Sequence, residues 1–265
     1  MGVRRFRRAA VAAVAATALG LSAAACSSRP DGPGSDGTAA PGINSPGING
    51  PGGSGSGASA RAEPSAGTSP DAAALAKPPA KVEGAEIVVG DPKAPHTVSV
   101  YEDPRCPYCK HFEEGGARAV ARLAAEGKVK IRYTIASFLD ADPDEGGSKR
   151  AVNAMRAAVE RRMFPEFHAA VFAGQPEKET DDAFTADDLL RIADKVPGLR
   201  GPAFDRAVRE NTYQDFVKAA QAAFEDSGVN RSPVVLIDGK ESSGDGRAMF
   251  DADAFQRVLA ESGVS

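Results

Sequence analysis

The chain has 265 residues, of which 42% are hydrophobic and 26% are charged, proportions that suit one globular domain of moderate size with some chain left over. Its formal net charge is −4, and without the four arginines of residues 1–25, which contain no acidic residue, 28 basic residues face 36 acidic ones, a net charge of −8. So acidic a chain is a poor candidate for binding nucleic acid.

The N-terminus has the pattern of an export signal. Four arginines within the first eight residues precede the apolar run Ala9–Ala25, which ends in three alanines before Cys26. This resembles a bacterial lipoprotein signal peptide, residues 1–25, after whose removal Cys26 is acylated. Two alternatives remain open: secretion without lipid, and an uncleaved anchor, because the 17-residue run nearly suffices to span a bilayer. All three predict an exported domain.

The next segment, residues 26–81, is predicted to be a disordered tether. It is rich in Gly, Pro, Ser and Ala, and no aromatic residue occurs in it. Such a composition cannot build a core. As a coil it would span roughly 40 Å, enough to hold a domain clear of a membrane surface. A disordered segment whose length has no functional role fits the composition equally well.

After the tether the pattern becomes that of an α/β fold. Two short segments rich in β-forming residues, Glu86–Val89 and Thr97–Glu102, predict strands. The helical pattern Pro107–Ala125 follows and is interrupted at Gly115-Gly116, where a kink or a close backbone contact is expected. Lys128–Ala136 predicts the next strand, parallel to Thr97–Glu102 if the crossover is an ordinary right-handed βαβ unit.

Two cysteines, Cys106 and Cys109, lie at the start of that helix, separated by Pro107 and Tyr108. A helix N-terminus favours negative charge, so a thiol there ionises easily, and the thiolate is the nucleophile of disulfide exchange. Pro107 suits the first turn, where its missing N–H would have had no partner. If Cys26 carries lipid, the remaining two cysteines are too close in sequence for a disulfide between them to stabilise the fold. The pair therefore predicts redox chemistry.

Zinc and c-type haem are the other chemistries that such a pair can serve. Structural zinc needs two further ligands, and only His96, His111 and His168 remain. Haem attachment needs a histidine where Lys110 stands. We therefore predict neither a metal nor a cofactor. His168, in a predicted helix rich in phenylalanine, is interpreted as a core or rim residue rather than a catalytic base.

A long helical stretch comes before any further strand signal. Its predicted helices are Ala151–Met163, Pro165–Ala173, Ala186–Val196 with a capping box formed by Thr185 and Asp188, and a last helix from Asn211 or Thr212 to Gly228. Together they predict an all-α insertion of about 80 residues, about residues 147–228, between strands.

Strands and one more helix complete the chain. Val234–Ile237 and Lys240–Ser242 flank the turn Asp238-Gly239, a strong hairpin signal, and Asp251 is the expected N-cap of the closing helix Ala252–Glu261. The order of elements predicts an α/β fold with a thioredoxin-like sheet and the all-α insertion as a lid.

These residues resemble the DsbA-like thiol:disulfide oxidoreductase family, which has a thioredoxin fold. The resemblance rests on Val88–Pro95, on Val98–Asp103 with the Cys-Pro-Tyr-Cys motif, and on Gly228–Gly239, which is similar to the family's cis-proline loop and hairpin. It covers about residues 82–263 of a predicted domain 82–265.

The resemblance implies a role for each motif residue. Cys106 is implied to be the exposed nucleophile and Cys109 the buried resolving thiol. Ser232-Pro233 is implied to be a cis bond that faces them, with the Ser232 backbone pairing with an extended substrate chain. Many relatives carry an acidic residue six positions before the first cysteine as a proton relay. This chain has Val100 there, which leaves the relay unassigned.

The export signal and the resemblance together predict an extracytoplasmic enzyme, anchored by lipid at Cys26, that exchanges disulfides with exported proteins and with a membrane redox partner. In such a compartment we favour an oxidase over a reductase, although the residues do not fix the direction. The alternative is a redox-inactive peptide-binding module or holdase whose cysteines form a static bridge. No segment of the sequence indicates dimerisation, so a monomer is predicted.

Overall fold

The structure, a computed structural model, describes residues 72, 80–140, 146–178, 183–242 and 246–265. The predicted signal peptide, Cys26 with its lipid, and nearly all of the tether lie outside these residues. Among the residues described, no helix combines the length and the apolar character that crossing a membrane requires.

One mixed sheet of six strands organises the domain. The strands are β1 (Lys81–Glu83), β2 (Glu86–Gly90), β3 (His96–Glu102), β4 (Val129–Ile135), β5 (Val234–Ile237) and β6 (Lys240–Glu241). Their order across the sheet is β1-β2-β4-β3-β5-β6. As predicted, β3 and β4 run parallel, and the other neighbouring strands pair antiparallel.

The helices whose bounds the structure gives follow the chain in order. They are α1 (Pro107–Glu114), α2 (Ala117–Ala125), α3 (Gly147–Glu160), α4 (Phe164–Ala173), α5 (Ala186–Ala193), α6 (Pro202–Arg209), α7 (Gln214–Asp226) and α8 (Ala252–Glu261). The elements from α3 to α7 lie between β4 and β5, so the predicted all-α insertion is confirmed. The α/β class predicted from the order of elements is confirmed with it.

The central strand β3 alternates between a buried and a half-buried side. Val98, Val100 and Glu102 are buried, whereas Ser99 and Tyr101 are partly exposed. Because side chains along a strand alternate between the two faces of the sheet, the three buried ones share a face. This face is apolar in the middle of β3 and carries a carboxyl at its carboxyl end, where the loop to α1 begins.

The glycine pair predicted to disturb the first helix separates α1 from α2. A Cβ atom at Gly115 would clash with the Phe250 carbonyl oxygen, and one at Gly116 would clash with the Met249 carbonyl oxygen. The Gly116 N–H donates to the Met249 oxygen at 3.0 Å. Of the two alternatives expected here, a kink or a close backbone contact, the close contact is confirmed, and the helix is divided at the same place. The contact fixes a short 3-10 helix, Ala248–Phe250, against the end of α1.

Within the insertion, one cap was predicted and one helix was not. Thr185 and Asp188 form the predicted capping box of α5. Helix α6 was not predicted, although Pro202 in its first turn follows Gly201, and its buried residues Phe204, Ala207 and Val208 have helical spacing. Strand β1 was also missed, because its three residues, Lys-Val-Glu, are too few and too polar to show alternation.

Candidate active site

Cys106 is the N-cap residue of α1, and its carbonyl accepts the first bonds of the helix. The N–H groups of Cys109 and Lys110 donate to it at 3.1 and 3.2 Å, and Pro107 occupies the first turn. Tyr108 is 62% exposed, Cys106 is 5% exposed and Cys109 is fully enclosed. Both thiols are free. The helix therefore presents the tyrosine to solvent and holds the two sulfurs at and below the surface.

The family resemblance implies that Cys106 is exposed, and this expectation was wrong. Its side chain is largely covered, because the loops on either side close over the end of α1. The Gln175 side chain donates from Nε2 to the carbonyls of Pro104 and Cys106 at 2.6 and 3.0 Å, and the Ser232 carbonyl lies 3.6 Å from the Cys106 sulfur. The resemblance also implies that Cys109 is more deeply buried than Cys106, and this difference in exposure is observed.

The Ser232-Pro233 bond is cis, as predicted, and it lies against both sulfurs. The Ser232 carbonyl faces Cys106, and the Ser232 hydroxyl oxygen is 2.8 Å from the Cys109 sulfur. The sequence did not predict that Ser232 touches the pair through its side chain as well as its backbone. One residue thus contacts both members of the dithiol.

The two thiols have opposite acidities. The Cys109 thiol donates to the Cys106 sulfur, and this bond, with backbone N–H groups and Ser232, lowers the pKa of Cys106 to about 7 against the opposing effect of burial. Burial raises the pKa of Cys109 well above its usual value, and the bond to Cys106 raises it further. At neutral pH the pair therefore combines an ionisable Cys106 with a protonated Cys109.

A groove of about 420 Å³ runs beside the cysteines. The Tyr108 and Phe250 rings lie 6.2 Å apart in its lining, together with Met249 and the Ser232-Pro233 bond. Apolar side chains next to exposed backbone are what an extended peptide needs for binding. Because Tyr108 is among its lining residues, the groove runs past the N-terminal end of α1, where the cysteines lie.

Below the loop that carries Cys106 lies a set of buried polar groups, here called the loop network: Asp103, Arg105, Asp140 and Ser148. Asp103 accepts from the N–H of Arg105 at 2.9 Å, the N–H of Leu139 at 3.1 Å and the Ser148 hydroxyl at 2.6 Å. Burial nevertheless raises its pKa to about 6. Arg105 and Asp140 form a buried ion pair of 3.1 Å. The loop before Cys106 is thereby attached to the start of α3.

A second set, here called the acid–histidine cluster, consists of the buried Glu102 and His168 and of Glu113, whose side chain is 10% exposed. Atoms Glu102 Oε1 and His168 Nε2 are 2.6 Å apart, and His168 Nδ1 and Glu113 Oε2 are 3.6 Å apart. Two buried atoms, Glu102 Oε2 and Glu113 Oε1, have no hydrogen-bond partner among the described residues. The donor atoms of the three side chains lie within 4.8 Å of one another, a spacing from which a metal ion could be bound.

Burial dominates the acidities in the acid–histidine cluster. It raises the pKa of Glu102, with the charges of Cys106 and Asp103 adding to the effect. It raises the pKa of Glu113 to about 8, although the charge of His168 opposes it. It lowers the pKa of His168. Three titratable groups thus lie together with their charged forms disfavoured.

Sequence reasoning placed His168 in the core, and it is 3% exposed, but its contacts with two carboxyls were not foreseen. Glu102 carried a usable signal: it shares the alternation of Val98 and Val100 along β3, which assigns it to the buried face. The spacing of Glu113 was a second usable signal: it lies four residues after Cys109, which assigns it to the helix face of the buried thiol. Val100 itself is 1% exposed and apolar.

Comparison with solved structures finds the same fold in several proteins, among them thiol-disulfide oxidoreductases. MdbA, a thiol-disulfide oxidoreductase from Corynebacterium diphtheriae, is 22% identical and matches 69% of this chain and 92% of its own, with a TM-score of 0.55. BdbD from Bacillus subtilis is 19% identical over 69% of this chain and 95% of its own, with a TM-score of 0.55. Reduced DsbA from Mycobacterium tuberculosis is 24% identical over 65% and 93%, with a TM-score of 0.51.

Among curated proteins, the serine/threonine-protein kinase PknE of Mycobacterium tuberculosis is 28% identical over 119 residues. These residues are 42% of this chain but 20% of the kinase, so the match spans about one fifth of its length. A sequence model of the family described as Thioredoxin matches residues 82–257, more than half of the chain and all of the site described above. The chain belongs to this thioredoxin family.

Proposed function

We propose that the chain is an extracytoplasmic thiol–disulfide oxidoreductase that exchanges disulfides with exported proteins through Cys106 and Cys109. The single observation that carries the proposal is the opposite acidity of the two thiols. Cys106, with its pKa lowered to about 7, is a thiolate in about half of the molecules at neutral pH. Cys109 is enclosed with its pKa raised, as suits a thiol that attacks only after a mixed disulfide has formed.

Two half-reactions follow from this pair. In the reducing direction, the Cys106 thiolate attacks a substrate disulfide, one substrate sulfur leaves as thiolate, and a mixed disulfide forms. Cys109 then attacks Cys106, which releases the second substrate sulfur and leaves the Cys106–Cys109 disulfide. In the oxidising direction, a substrate thiolate attacks Cys106 of that disulfide, Cys109 leaves as a thiolate, and a mixed disulfide forms. The second substrate thiolate then attacks the substrate sulfur of the mixed disulfide, which forms the substrate disulfide and releases Cys106 as a thiolate.

We favour the oxidising direction. Every bond that stabilises the Cys106 thiolate stabilises the reduced form of the pair, and a stabilised reduced form makes the disulfide a stronger oxidant. Cys106 receives such bonds from Cys109, Ser232 and the N–H of Tyr108. The export signal of residues 1–25 predicts a compartment in which disulfides persist. An oxidase there needs a membrane redox partner to accept its electrons.

We infer that the substrate binds as an extended chain along the groove beside Tyr108. Ser232 and Pro233 are the substrate-binding residues of this proposal: the Ser232 carbonyl lies beside the Cys106 sulfur, within reach of a substrate N–H. The relative from Corynebacterium diphtheriae that shares this fold is described as a thiol-disulfide oxidoreductase, which supports a thiol or a disulfide as the reacting group of the substrate. The anchor is proposed to be lipid on Cys26, with residues 26–81 as the tether and a monomer as the working form.

The test is trapping of a mixed disulfide. Cys109→Ala removes the resolving thiol, so the full-length variant should accumulate a stoichiometric mixed disulfide with exported proteins that dithiothreitol releases. Cys106→Ala, which removes the nucleophile, is the matched control and should trap none. Identifying the trapped proteins reports the substrate class, and the oxidation of reduced insulin against the reduction of intact insulin reports the direction.

The competing function is a redox-inactive peptide-binding module that keeps the groove and uses the cysteines as a static bridge. The opposite acidities of Cys106 and Cys109 favour the enzyme over it, because a static bridge does not need an ionisable thiol. If dithiothreitol cannot reduce the pair near neutral pH, or if insulin is neither oxidised nor reduced, the enzyme is rejected in favour of the binding module.

A further inference from the structure

Gln175 is the second residue beyond the end of α4, after Gly174. From there its half-buried side chain reaches the loop that carries Cys106, where Nε2 donates to the carbonyl oxygens of Pro104 and Cys106 at 2.6 and 3.0 Å. An amide nitrogen has two N–H groups, so one side chain can bond both carbonyls. A residue of the helical insertion thus holds the main chain on both sides of Arg105.

The Cys106 carbonyl that Gln175 binds is also the first acceptor of α1. Cys106 is the N-cap residue, with an extended backbone of φ −70° and ψ 119°, and its carbonyl accepts from the N–H groups of Cys109 and Lys110. Gln175 is a third donor to the same oxygen. Because this carbonyl belongs to the peptide group that follows the Cα of Cys106, its direction decides how the first turn of the helix faces the Cys106 side chain.

The reactivity of the Cys106 sulfur depends on that orientation. The N–H groups of Tyr108 and Cys109, both in the first turn, stabilise its thiolate together with the Cys109 thiol and Ser232. A helix N-terminus stabilises an anion through N–H groups that point at it. A rotation about ψ of Cys106 would turn these groups away from the sulfur and leave the thiolate with fewer donors.

The insertion, not the cysteine loop, fixes the place of Gln175. The N–H groups of Gly174 and Gln175 both donate to carbonyls in the last turn of α4. A Cβ atom at Gly174 would clash with the Ile192 side chain of α5, so the end of α4 lies close against that helix. The amide of Gln175 therefore extends from a packed part of the insertion toward the dithiol.

The loop network and Gln175 hold opposite sides of Cys106. Arg105 donates through its N–H to Asp103 and pairs through its guanidinium with Asp140, and the N–H of Cys106 donates to the Asp103 carbonyl at 3.0 Å. These bonds fix the chain up to the Cys106 nitrogen. Gln175 fixes the carbonyl on the other side of the same residue, which the loop network does not reach.

We propose that Gln175 is a positioning residue whose side-chain amide holds Cys106 in the N-cap conformation, so that the helical insertion controls the reactivity of the dithiol. The proposal rests on the proposed function, because it concerns the nucleophile of that reaction. Gln175 acts through the Cys106 carbonyl and takes no part in the exchange of sulfur atoms. The insertion is then more than a lid, since it contributes to the acidity of a thiol that lies in another part of the fold.

Other titratable and charged groups also act on the Cys106 thiolate. Cys109 of α1 donates to it, and the charge of Glu102 at the end of β3 interacts with it. Further charged or titratable residues follow in the loop, on α1 and beside Ser232: Asp103, Arg105, Lys110, His111 and Arg231. A neutral substitution of Gln175 changes none of these groups, so a shift in the titration of Cys106 reports the loss of the amide.

The experiment measures how fast iodoacetamide alkylates Cys106 in the reduced full-length chain as a function of pH. The thiolate is the reacting form, and Cys109 is enclosed with its pKa raised, so the reaction reports Cys106. Gln175→Met has a similar length and no N–H group. It should raise the midpoint of the pH profile by about one unit, so that alkylation at pH 6 slows on the order of tenfold. At a pH where the thiol is fully ionised, the rate should stay within about twofold.

The second measurement is the redox equilibrium with reduced and oxidised glutathione. A less stable Cys106 thiolate makes the reduced pair less stable, so the disulfide of Gln175→Met should be about tenfold harder to reduce, which corresponds to about 30 mV for two electrons. Gln175→Glu should shift both quantities at least as far, because a carboxylate cannot donate and adds a negative charge. If the midpoint or the equilibrium of Gln175→Met is unchanged, the two hydrogen bonds hold the loop without acting on the sulfur, and the proposal is overturned.

The matched control is Gln221→Met in α7. The Gln221 side chain also binds the main chain of a loop, since its Oε1 accepts from the N–H of Ser137 at 2.7 Å, but that loop follows β4 and does not carry a cysteine. The control should lose stability without a change in the midpoint or in the glutathione equilibrium. A midpoint that moves as far as in Gln175→Met would mean that general loosening of the insertion is the cause, which overturns the proposal.

Folding and function are controlled separately. Thermal unfolding shows whether each variant is folded. If Gln175→Met does not fold, Gln175→Asn takes its place, because its amide is one methylene too short to reach both carbonyls; the same direction of shift is expected, and an unshifted midpoint overturns the proposal. Neither iodoacetamide nor glutathione is a protein substrate. Failure of insulin turnover therefore rejects the proposed function alone, whereas unshifted midpoints in the variants reject the positioning role alone.

Discussion

The loop network and the acid–histidine cluster are two polar sets that begin at adjacent residues, Asp103 and Glu102, and differ in how fully their carboxyl oxygens are hydrogen-bonded. Both oxygens of Asp103 and both of Asp140 accept hydrogen bonds. In the acid–histidine cluster, one buried oxygen of Glu102 and one of Glu113 have no hydrogen-bond partner among the described residues. A carboxyl with both oxygens bonded holds its neighbours in place, whereas a buried carboxyl oxygen without a donor costs free energy when the group is charged.

The largest effect is expected from removing the counterion of the loop network. Asp140→Ala removes a buried carboxylate that pairs with the Arg105 guanidinium and accepts from the N–H groups of Ser148 and Lys149. Breaking a buried pair in this way should lower the free energy of unfolding by about 3–5 kcal/mol. Urea denaturation measures the loss. A loss below about 1 kcal/mol would remove the contrast between the two sets.

The acid–histidine cluster should instead make the free energy of unfolding depend on pH. The pKa of Glu113 is about 8 in the folded chain against 4.5 for the free group, so the folded state binds the proton more tightly. Stability from this group is therefore present at low pH and falls as the pH rises from about 4.5 to 8. Between pH 5 and pH 8 we expect a loss of about 3.5 kcal/mol.

Glu113→Gln should flatten this dependence, because an amide does not titrate in the range. Urea denaturation of the wild type and the variant at pH 5 and pH 8 provides the measurement. If the free energy of unfolding changes equally between pH 5 and pH 8 in the two proteins, Glu113 does not bind its proton more tightly in the folded state.

A smaller effect is expected at Ser148, whose hydroxyl donates to Asp103 at 2.6 Å. Ser148→Ala should cost about 1–2 kcal/mol of the free energy of unfolding, because the carboxylate loses one of three donors. The pKa of Asp103 should rise above about 6, since the Ser148 bond lowers it. Denaturation and NMR titration of Asp103 measure the two effects. An unshifted pKa would contradict the assigned hydrogen bond.

The smallest effect is expected at Glu114, next to Glu113 in the chain but on the exposed face of α1. Its pairing with Lys110 is at the surface, and Glu114→Gln should change the free energy of unfolding by less than about 0.5 kcal/mol at any pH between 5 and 8. A pH slope altered as much as in Glu113→Gln would mean that burial is not what distinguishes the two carboxyls.

Most of the scaffold and the front of the site could be predicted from the sequence, because they depend on local patterns. The Cys-Pro-Tyr-Cys motif, the glycine pair and the Thr185 capping box each act within a few residues. Helix α6 and strand β1 were missed where the elements were short. Pro202 and the spacing from Phe204 to Val208 were sufficient to find α6.

The back of the site could not be predicted in the same way, because it is assembled from distant elements. Glu102, Glu113 and His168 come from β3, α1 and α4, and no spacing in the chain brings them together. The alternation of β3 predicts that Glu102 is buried. The partners of a buried carboxyl depend on how helices pack over the sheet, and a single sequence does not contain that information.

The contact between the glycine pair and the 3-10 helix has a consequence for how binding specificity can change. One wall of the groove is attached to the chain between α1 and α2 by a main-chain hydrogen bond, from the Gly116 N–H to the Met249 carbonyl. The Phe250 ring, in contrast, faces Tyr108 and His111 of α1 through its side chain. A substitution of Met249 can therefore alter the shape and polarity of the groove while the main-chain bond holds the wall in place, whereas a substitution of Phe250 also removes contacts with α1.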